Sequence, residues 1–347
     1  MERDFHFYLI AMLARDAGYN ETQAHTIAYA SQYVDHATES FPIALSDGRI
    51  VETTMTAHYH IRSGSWDLQR KVFMCFHFPP IGMREGHFEF RVSSNAPLIV
   101  DYLNKILAEK TADKSDEKMW LIRLGVALHT LADSFSHQSF SGRQNKENNV
   151  GRIWFKKNGS YERQYLKDWL WDALPQIGHT ECYKYPDFPF LQMKYELPRA
   201  DTKKMTALKR DNPKEFEKAA NECFRWLSRF RGREIAWDDA MPSALALKAL
   251  VRIEEGKEEK RLKQWRETEA FGHFAPMFAG RKNYARTKWR EQALEPVDDA
   301  GRVDWENMPK LEMHWYAPKP NFDQSSFRKF HIAAMLQRGY ILGRLFW

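Results

Sequence analysis

The chain has 347 residues, of which 43% are hydrophobic, and it carries a formal net charge of +6. Its basic residues are interleaved with acidic ones, a pattern that permits attraction to a phosphate-containing small molecule or a lipid headgroup and does not establish binding of nucleic acid. No apolar run approaches the roughly 18 residues that a transmembrane helix needs, and the amphipathic start, interrupted by His6, does not resemble a signal peptide, so a cytoplasmic protein is expected.

The cysteines give no sign of a disulfide framework. Cys75, Cys182 and Cys223 are widely spaced, odd in number and form no CxxC pair. No Gly-rich phosphate loop, GxSxG motif or internal repeat is present, and the sequence does not indicate an oligomeric state.

The N-terminal segments are predicted to be helical. Residues 4–17 carry apolar side chains at helical spacing and end at Gly18, and Asn20 with Gln23 forms a capping box for a second helix that runs to Asp35. The small residues of that second helix predict close packing against another helix; they are Ala28, Ala30 and Ser31.

Residues 40–92 are predicted to be irregular. Within them, residues 72–80 (VFMCFHFPP) alternate enough to indicate a short strand or an extended loop, which the two prolines end. Pro97 then begins a helix to about Lys110, and Ser115 caps a long helix that follows.

The remaining segments are predicted as further helices joined by loops, with residues 293–323 as a loop. The helices are a short Trp-rich one over residues 162–174, one opened by Asn212–Pro213, one over residues 239–269, and a final one from Asp323 or Ser325 to Leu345.

The predicted fold is therefore all-α, a multi-helix domain with long irregular loops. Ten of the thirteen histidines lie in the first 179 residues. We therefore expect residues 1–190 to form a metal-site helical core and residues 191–347 to add helices that pack on the same large domain.

The long helix carries the central motif, LGVALHTLADSFSHQSFSG over residues 124–142, in which His129, Asp133 and His137 are spaced four residues apart. On a helix these three side chains lie within about an 80° arc. Their apolar neighbours indicate that this face is turned inward, where His and Asp need partners or a metal. A central carboxylate with a histidine on either side suits a bridge between two metal ions. The alternative is a polar helix face without a ligand role.

Other segments offer further nitrogen and oxygen ligands, as a metal-dependent hydrolase requires. The candidates are His6, Asp35, His58 and His179. His60 competes with His58 for one role. His77, in an aromatic string, is predicted to be a packed histidine.

This order of ligands resembles the zinc-dependent phospholipase C and S1/P1 nuclease superfamily, over residues 1 to about 190. That superfamily is all-helical and holds three zinc ions in a cleft. Several strings also resemble an uncharacterised bacterial family that we assign to the same superfamily: DFHFY at 4–8, IAYASQYVD at 27–35, FHFPP at 76–80, LHTLADSFSHQSFSG at 128–142, and GHTE with PDFP at 178–189.

The resemblance implies that one to three Zn²⁺ or other divalent ions are bound. The implied ligands are His6, Asp35, His58, His129, Asp133, His137 and His179. Asp133 would bridge two ions, and Asp35 and Asp133 would take part in catalysis.

The chain departs from the superfamily pattern in three places. The secreted enzymes bind metal with the amino group of an N-terminal tryptophan, whereas this chain starts with Met1, and Asp4 is proposed to stand in. The spacing from Asp133 to His137 is three residues instead of five, which places His137 on the helix. The late HxxxE is missing because Tyr183 occupies its last position. Either Glu181 or Asp187 would then compensate.

The expected function is that of a metal-dependent hydrolase that cleaves a phosphodiester with metal-activated water, in the manner of a phospholipase C or a nuclease. One alternative is a non-catalytic metal-binding structural protein with a degenerate site. Another is an HD-type phosphohydrolase, which normally shows an adjacent His-Asp pair. Here the only adjacent pair has the reverse order, Asp35–His36.

Overall fold

The computed structural model describes residues 1–40, 42–58, 65–84, 87–164, 177–199, 204–296 and 314–346. The helices are α1 (Ile10–Asp16), α2 (Glu21–Tyr33), α3 (Trp66–Leu68), α4 (Pro97–Ala112), α5 (Glu117–Ser136), α6 (Asn212–Phe230), α7 (Pro242–Leu250), α8 (Glu258–Arg266), α9 (Glu269–Gly272), α10 (Lys288–Ala293) and α11 (Ser326–Phe346). Two π-helical segments, π1 (Asp4–Leu9) and π2 (Gln69–His77), precede α1 and follow α3. None of the helices described is long and apolar enough to span a membrane.

The described strands are β1 (Ile43–Leu45), β2 (Ile50–Val51), β3 (Gly82–Arg84), β4 (His87–Glu89), β5 (Ile153–Lys157), β6 (Ser160–Gln164), β7 (Gln192–Pro198), β8 (Met205–Asp211), β9 (Leu294–Pro296) and β10 (His314–Pro318). They form a sheet in the order β2-β1-β10-β9, the hairpin β3-β4, and an antiparallel sheet in the order β6-β5-β7-β8.

The predicted all-α class is wrong, because the fold is mixed: 54% helix and 14% strand in three sheets. The antiparallel sheet carries a signal that was overlooked. Asn158 and Gly159, between β5 and β6, both have positive φ and form the two-residue turn that joins paired strands. Along β7, Met193, Tyr195 and Leu197 are buried on one side with a period of two, as in a strand with one face on a core.

Helix α5 lies at the centre of the helical body, as predicted: α2, α4, α6, α11 and π2 all pack against it. Every residue from Trp120 to Ser136 is buried. The helix is capped by Asp116 and not by Ser115, because the Asp116 carboxylate accepts a hydrogen bond from the backbone N–H of Met119 at 3.0 Å. The capping box of α2 is confirmed, with Asn20 and Gln23 each bonding the other's backbone.

Close packing between α2 and α5 is also confirmed, and it depends on a glycine. A Cβ added to Gly125 would lie 2.3 Å from the carbonyl oxygen of Ile27 and 2.7 Å from Cβ of Ala30. The two backbones can therefore approach only because Gly125 lacks a side chain and Ala30 has a small one. This contact sets the distance between α2, which is followed by Asp35, and α5, which carries His129.

Residues 72–77 of the predicted strand or extended loop belong instead to the π-helix π2, which ends at His77, and residues 78–80 follow it without regular structure. Within π2 the side chains of four closely spaced apolar residues are buried: Val72, Met74, Cys75 and Phe76. A segment enclosed by protein on most sides is apolar all round, so its sequence does not reveal whether its period is that of a helix or a strand.

Three further predictions need correction. The helix expected over residues 239–269 is three shorter ones, α7, α8 and α9. The Trp-rich helix expected over residues 162–174 begins instead as the end of β6, and residues 165–174 lie outside the described part. The loop expected over residues 293–323 contains β9 and β10, and residues 297–313 lie outside the described part. By contrast, α6 begins at Asn212 as predicted, and Ser325 accepts a hydrogen bond from the N–H of Arg328 at the start of α11.

Two apolar clusters hold the molecule together. The larger draws on residues from both predicted regions, from Phe5 on π1 to Phe330 on α11. The smaller lies under the antiparallel sheet and includes Phe78, Phe140 and Phe188. Since Phe78 and Phe140 lie beside histidines of the central motif and of the segment near residue 179, the second cluster supports one end of the candidate site.

We expect Gly125→Ala to destabilise the protein by about 1–3 kcal/mol, since the added methyl group would overlap the α2 backbone and force α2 and α5 apart. The change in free energy of unfolding is measured by chemical denaturation. Gly339→Ala on α11 is the matched control, because nothing lies within 4 Å of its added Cβ and alanine favours a helix by roughly 0.5–1 kcal/mol. Equal effects of the two substitutions would contradict the close contact.

Candidate metal centre

Histidine and carboxylate side chains from five segments converge in the interior. They form three groups: His6, His129 and Asp133; Asp35, His77 and His129; and His137, His179 and Asp187. Within each group, one ligand atom from every residue lies within 4.8 Å of the others. The groups adjoin one another because Asp133 also lies close to members of the second and third.

Asp133 is the centre of the arrangement, and its residue is only 1% exposed. Its Oδ1 atom lies 3.1 Å from Nε2 of His6. Its Oδ2 atom lies 3.1 Å from Nδ1 of His77 and 3.2 Å from Nε2 of His129. The two carboxylate oxygens thus face different sets of imidazoles, which is the placement that a bridging carboxylate requires.

The amino group of Met1 also lies in this cluster. Its nitrogen is 2.6 Å from Oδ1 of Asp133 and 3.1 Å from Oδ1 of Asp187, and it is within hydrogen-bond distance of the Ser136 hydroxyl at 3.2 Å. Although burial alone would lower the pKa of this amino group, the charges of Asp133 and Asp187 raise it to about 11. The ammonium therefore neutralises part of the charge of two buried carboxylates.

The second group lies on the more open side of the cluster. Oδ1 of Asp35 is 3.9 Å from Nδ1 of His77 and 3.7 Å from Nε2 of His129, and the Asp35 side chain is 29% exposed. Its other oxygen accepts a hydrogen bond from the amide of Gln32 at 3.0 Å. Asp35 thus presents one oxygen to the cluster while α2 holds the other.

The third group adjoins the end of α5. Oδ1 of Asp187 lies 3.4 Å from Nε2 of His137, and Oδ2 lies 3.3 Å from Nε2 of His179. Asp187 also accepts a hydrogen bond from the Ser136 hydroxyl at 2.7 Å. Because Ser136 and His137 are adjacent at the end of α5, the same helix end holds both the carboxylate and one of its imidazoles.

Three of the five imidazoles have their second nitrogen bonded to a backbone carbonyl. His77 donates from Nε2 to the oxygen of Thr56 at 2.8 Å, His137 from Nδ1 to that of His77 at 2.7 Å, and His179 from Nδ1 to that of Tyr183 at 2.6 Å. A carbonyl can only accept, so each of these nitrogens carries a hydrogen and the other nitrogen, when the ring is neutral, has a lone pair directed at the cluster. This is the arrangement that orients metal-binding histidines. The Nδ1 atoms of His6 and His129 have no such bond among the described residues.

Burial and neighbouring charges together set the protonation of the cluster. It lowers the pKa of His6 and of His129 to about 4, so both rings are neutral at pH 7. For His77, burial lowers the pKa, but the hydrogen bond and charge of Asp133 outweigh it and the net shift is upward. Burial opposes ionisation of Asp133 and Asp187, yet the Met1 ammonium and the neighbouring histidines hold both pKa values well below the ordinary range.

Unusual helical geometry positions two of the imidazoles. His6 lies within π1 and His77 is the last residue of π2. A π-helical segment contains an extra residue per turn and is frequent at functional sites. His137, predicted to lie on the helix, is instead the C-cap residue of α5, with φ −97° and ψ 12°. Leaving the helix at this point lets its ring turn toward Asp187 while Asp133 faces the other imidazoles.

The structure brings together most of the candidates named from the sequence. His6, Asp35, His129, Asp133, His137 and His179 all belong to the three groups. His58 belongs to none of them, and His77 contributes a ring nitrogen instead. His60 lies outside the described residues. Whether these residues bind a metal stays a prediction.

The residues proposed as substitutes also have different roles. Asp4 is in none of the three groups, since it pairs with Arg261 at 2.7 Å. Asp187 supplies the late carboxylate, whereas Glu181 accepts a hydrogen bond from the N–H of Val150 at 2.6 Å. Tyr183, at the position of the missing carboxylate, supplies the carbonyl that holds His179. Sequence reasoning missed His77 because a histidine within an aromatic string is typical of core packing.

An aromatic ring holds His137 in place. Phe78 stacks on the His137 imidazole with ring centroids 4.4 Å apart and an angle of 17° between the planes. Gly178 has φ of +55°, and a Cβ there would lie 2.3 Å from Cζ of Phe78. The turn before His179 can therefore pass over Phe78 only with glycine at residue 178.

A family model matches residues 1–345, over almost the whole chain, and its description is a family of unknown function, DUF6765. No curated protein and no solved structure matches the chain.

We expect Gly178→Ala to destabilise the protein by about 1–3 kcal/mol, because the methyl group would push Phe78 away from His137 and the backbone would remain in a strained conformation. The unfolding free energy and the NMR signals of the His137 ring report the two effects. Gly280→Ala is the matched control, with a similar φ of +56° but nothing within 4 Å of the added Cβ. An unchanged His137 signal in Gly178→Ala would contradict the stacking contact.

Proposed function

The chain belongs to the family of unknown function DUF6765, and we propose that it is a metal-dependent hydrolase of phosphodiesters. In this proposal the three groups around Asp133 hold one to three divalent ions, with zinc as the first choice because imidazole nitrogens and carboxylate oxygens are its usual ligands. The resemblance to the zinc-dependent phospholipase C and S1/P1 nuclease superfamily is part of the same proposal.

One observation carries the metal site. Nε2 of His129 and Nδ1 of His77 lie 3.2 Å apart and share Oδ2 of Asp133. His129 is neutral at pH 7, and the hydrogen of a neutral His77 is on Nε2, directed away at Thr56. With its own hydrogen on Nδ1, His129 would direct a second lone pair at the same point, and two nitrogen lone pairs with a carboxylate oxygen are suited to a cation.

The charges support the same conclusion. Three carboxylates, those of Asp35, Asp133 and Asp187, face five imidazoles and one ammonium. The ammonium balances only one of the three negative charges, and burial of the remainder is costly unless cations are nearby. The donor set, imidazoles with carboxylates, therefore fits a divalent ion in chemistry as well as in geometry.

A divalent ion held there would lower the pKa of a water molecule and polarise a phosphoryl oxygen, as hydrolysis of a phosphodiester requires. Asp35 is the residue best placed to orient that water and accept its proton, because its Oδ1 faces the cluster and its side chain is the most exposed of the three carboxylates. Asp133, which is almost fully buried, holds the imidazoles of His6, His77 and His129 in one arrangement.

The proposed substrate is a phosphodiester borne by a small molecule or a lipid headgroup, and the net charge of +6 favours such anions. Nucleic acid is a second source of the same bond, and parallel assays with a phospholipid and a single-stranded oligonucleotide distinguish the two. A cytoplasmic location is also part of the proposal. Its support is that the three cysteines are free and buried.

Burial also favours one alternative, a metal-binding protein without catalysis. His6 and His129 are 0% exposed, as ligands of a closed structural metal site would be. The partial exposure of Asp35 and His179 favours an open site. Metal binding without hydrolysis of any phosphodiester would support the structural alternative.

The proposal predicts that His77→Ala lowers zinc content and reduces hydrolysis of bis(p-nitrophenyl) phosphate by at least about tenfold, because a ligand of the second group is lost. Zinc is measured by elemental analysis after purification without chelator, and hydrolysis after reconstitution with zinc.

His273→Ala is the control for His77→Ala, because His273 is exposed and its removal is expected to leave zinc content and hydrolysis unchanged. His58→Ala compares the two candidate histidines, and the three groups found among the described residues predict the larger effect at His77. A wild-type protein that binds no divalent metal after reconstitution would refute the proposed function, and a larger effect at His58 than at His77 would refute the assignment of the ligands.

We expect Asp133→Asn to be more damaging than His137→Ala. An amide retains one oxygen but presents N–H groups to imidazole nitrogens and removes the charge shared among three groups, whereas His137→Ala removes one neutral ligand of the third group only. Metal stoichiometry and thermal melting of the two variants, measured with and without zinc, test this. Full metal content and an unchanged melting temperature in Asp133→Asn would show that Asp133 is not a bridge.

A further inference from the structure

A network of ion pairs joins the N-terminal segment to helix α8 and to the segment that holds the third group. Arg261 and Asp4 are fully buried and Glu2 nearly so, whereas the Lys184 side chain is 57% exposed. Arg261 on α8 is 0% exposed and donates to Asp4 from Nε at 2.7 Å, to Glu2 from Nη2 at 2.5 Å, and to the carbonyl oxygen of Glu255 from Nη1 at 2.8 Å. The other carboxylate oxygen of Glu2 accepts a hydrogen bond from Lys184 at 2.9 Å. The network therefore links Asp4 to Arg261, Arg261 to Glu2, and Glu2 to Lys184.

The two ends of this network lie on segments that both supply candidate metal ligands. Glu2 and Asp4 follow Met1, whose amino group lies in the cluster, and both precede His6 of π1. Lys184 lies between His179 and Asp187, next to Tyr183, whose carbonyl orients His179. A second contact holds the N-terminal segment against α8, because the backbone N–H of Arg3 donates to the Glu258 carboxylate at 2.8 Å.

The charges within this network cancel, because two carboxylates face one guanidinium and one ammonium. Both oxygens of Glu2 are used, one by Arg261 and one by Lys184. A fully buried guanidinium with three acceptors around its planar fork allows little freedom in the direction or distance of those acceptors. Movement of the N-terminal segment relative to α8 would therefore break buried charge-assisted hydrogen bonds, and movement relative to the segment around residue 184 would break the half-exposed pair of Lys184 and Glu2.

We propose that Arg261 is a positioning residue of the metal centre, which sets the distance between the ligands on the N-terminal segment and those on the segment of residues 179–187. This inference rests on the proposed function, and it assigns a role at the site to a helix outside residues 1–190, the predicted metal-site core. Arg261 touches none of the three ligand groups, so its effect must pass through Glu2, Asp4 and Lys184.

Loss of Arg261 would leave Asp4 buried without its partner and release Glu2 from α8. We expect Arg261→Met to weaken zinc affinity by roughly 10–100-fold, the range found when residues that orient metal ligands are removed. The loss is expected at the His6 group, whereas an ion held by His137, His179 and Asp187 should be retained. Arg261→Lys keeps the positive charge but lacks the planar guanidinium with its several donors. Its zinc affinity should lie between those of wild type and Arg261→Met.

The experiment is a zinc titration of the metal-free full chain with a competing chelator, at a temperature well below the melting temperature of each variant. Glu2→Gln is the second variant, because it removes the charge that joins Arg261 to Lys184, leaves Asp4 paired with Arg261, and is nearly the same size. It should weaken zinc affinity in the same direction, so a failure of Arg261→Met to fold leaves the inference testable.

Arg225→Met is the matched control, since it removes an arginine from an exposed pair with Glu222 on α6 and should leave zinc affinity unchanged. If wild type binds zinc and Arg261→Met and Glu2→Gln bind it equally well, the positioning role is refuted while the proposed function stands. If wild type binds no zinc, the metal centre is refuted and the inference with it. A weakening confined to the two variants supports the inference.

Discussion

A carboxylate buried among imidazoles is the constraint on which the structure depends. Asp133 lies in the last turn of the buried helix α5, within 3.2 Å of nitrogen atoms from His6, His77 and His129, and closer still to the Met1 amino group. An ionised carboxylate in such a place is tolerated only when cations or hydrogen-bond donors surround it. Every segment that approaches Asp133 must therefore bring a polar group of the right kind to the right oxygen.

The local geometry of the chain meets this requirement in unusual ways. Two π-helical segments deliver His6 and His77, and the C-terminal end of α5 turns His137 out of the helix toward Asp187. Backbone carbonyls then fix the orientation of three imidazoles. Irregular backbone costs free energy relative to an ideal helix, and it is found here beside the one cluster whose geometry needs it.

The rest of the fold keeps these segments in register. The glycine contact between α2 and α5 sets the position of Asp35 relative to His129, and Phe78 under Gly178 sets that of His137. The ion pairs around Arg261 join the N-terminal segment to α8. The antiparallel sheet covers the second apolar cluster, against which the loop carrying His179 and Asp187 rests. Residues beyond position 190 thus contribute to the site through packing and charge, although they supply none of the described ligand groups.

The sequence by itself determined the features that depend on short-range patterns. The spacing of His129, Asp133 and His137, the capping box of Asn20 and Gln23, and the central position of α5 follow from helical periodicity and local hydrogen bonding. Only the tertiary structure decided which distant side chains join Asp133: His77 instead of His58, Asp187 instead of Glu181, and Asp4 held by Arg261 outside the ligand groups. These choices depend on contacts between residues far apart in the chain. The apolar run before His77 is buried on most sides, so its pattern does not distinguish a helix from a strand. The position of a loop carboxylate is set by the elements against which the loop packs.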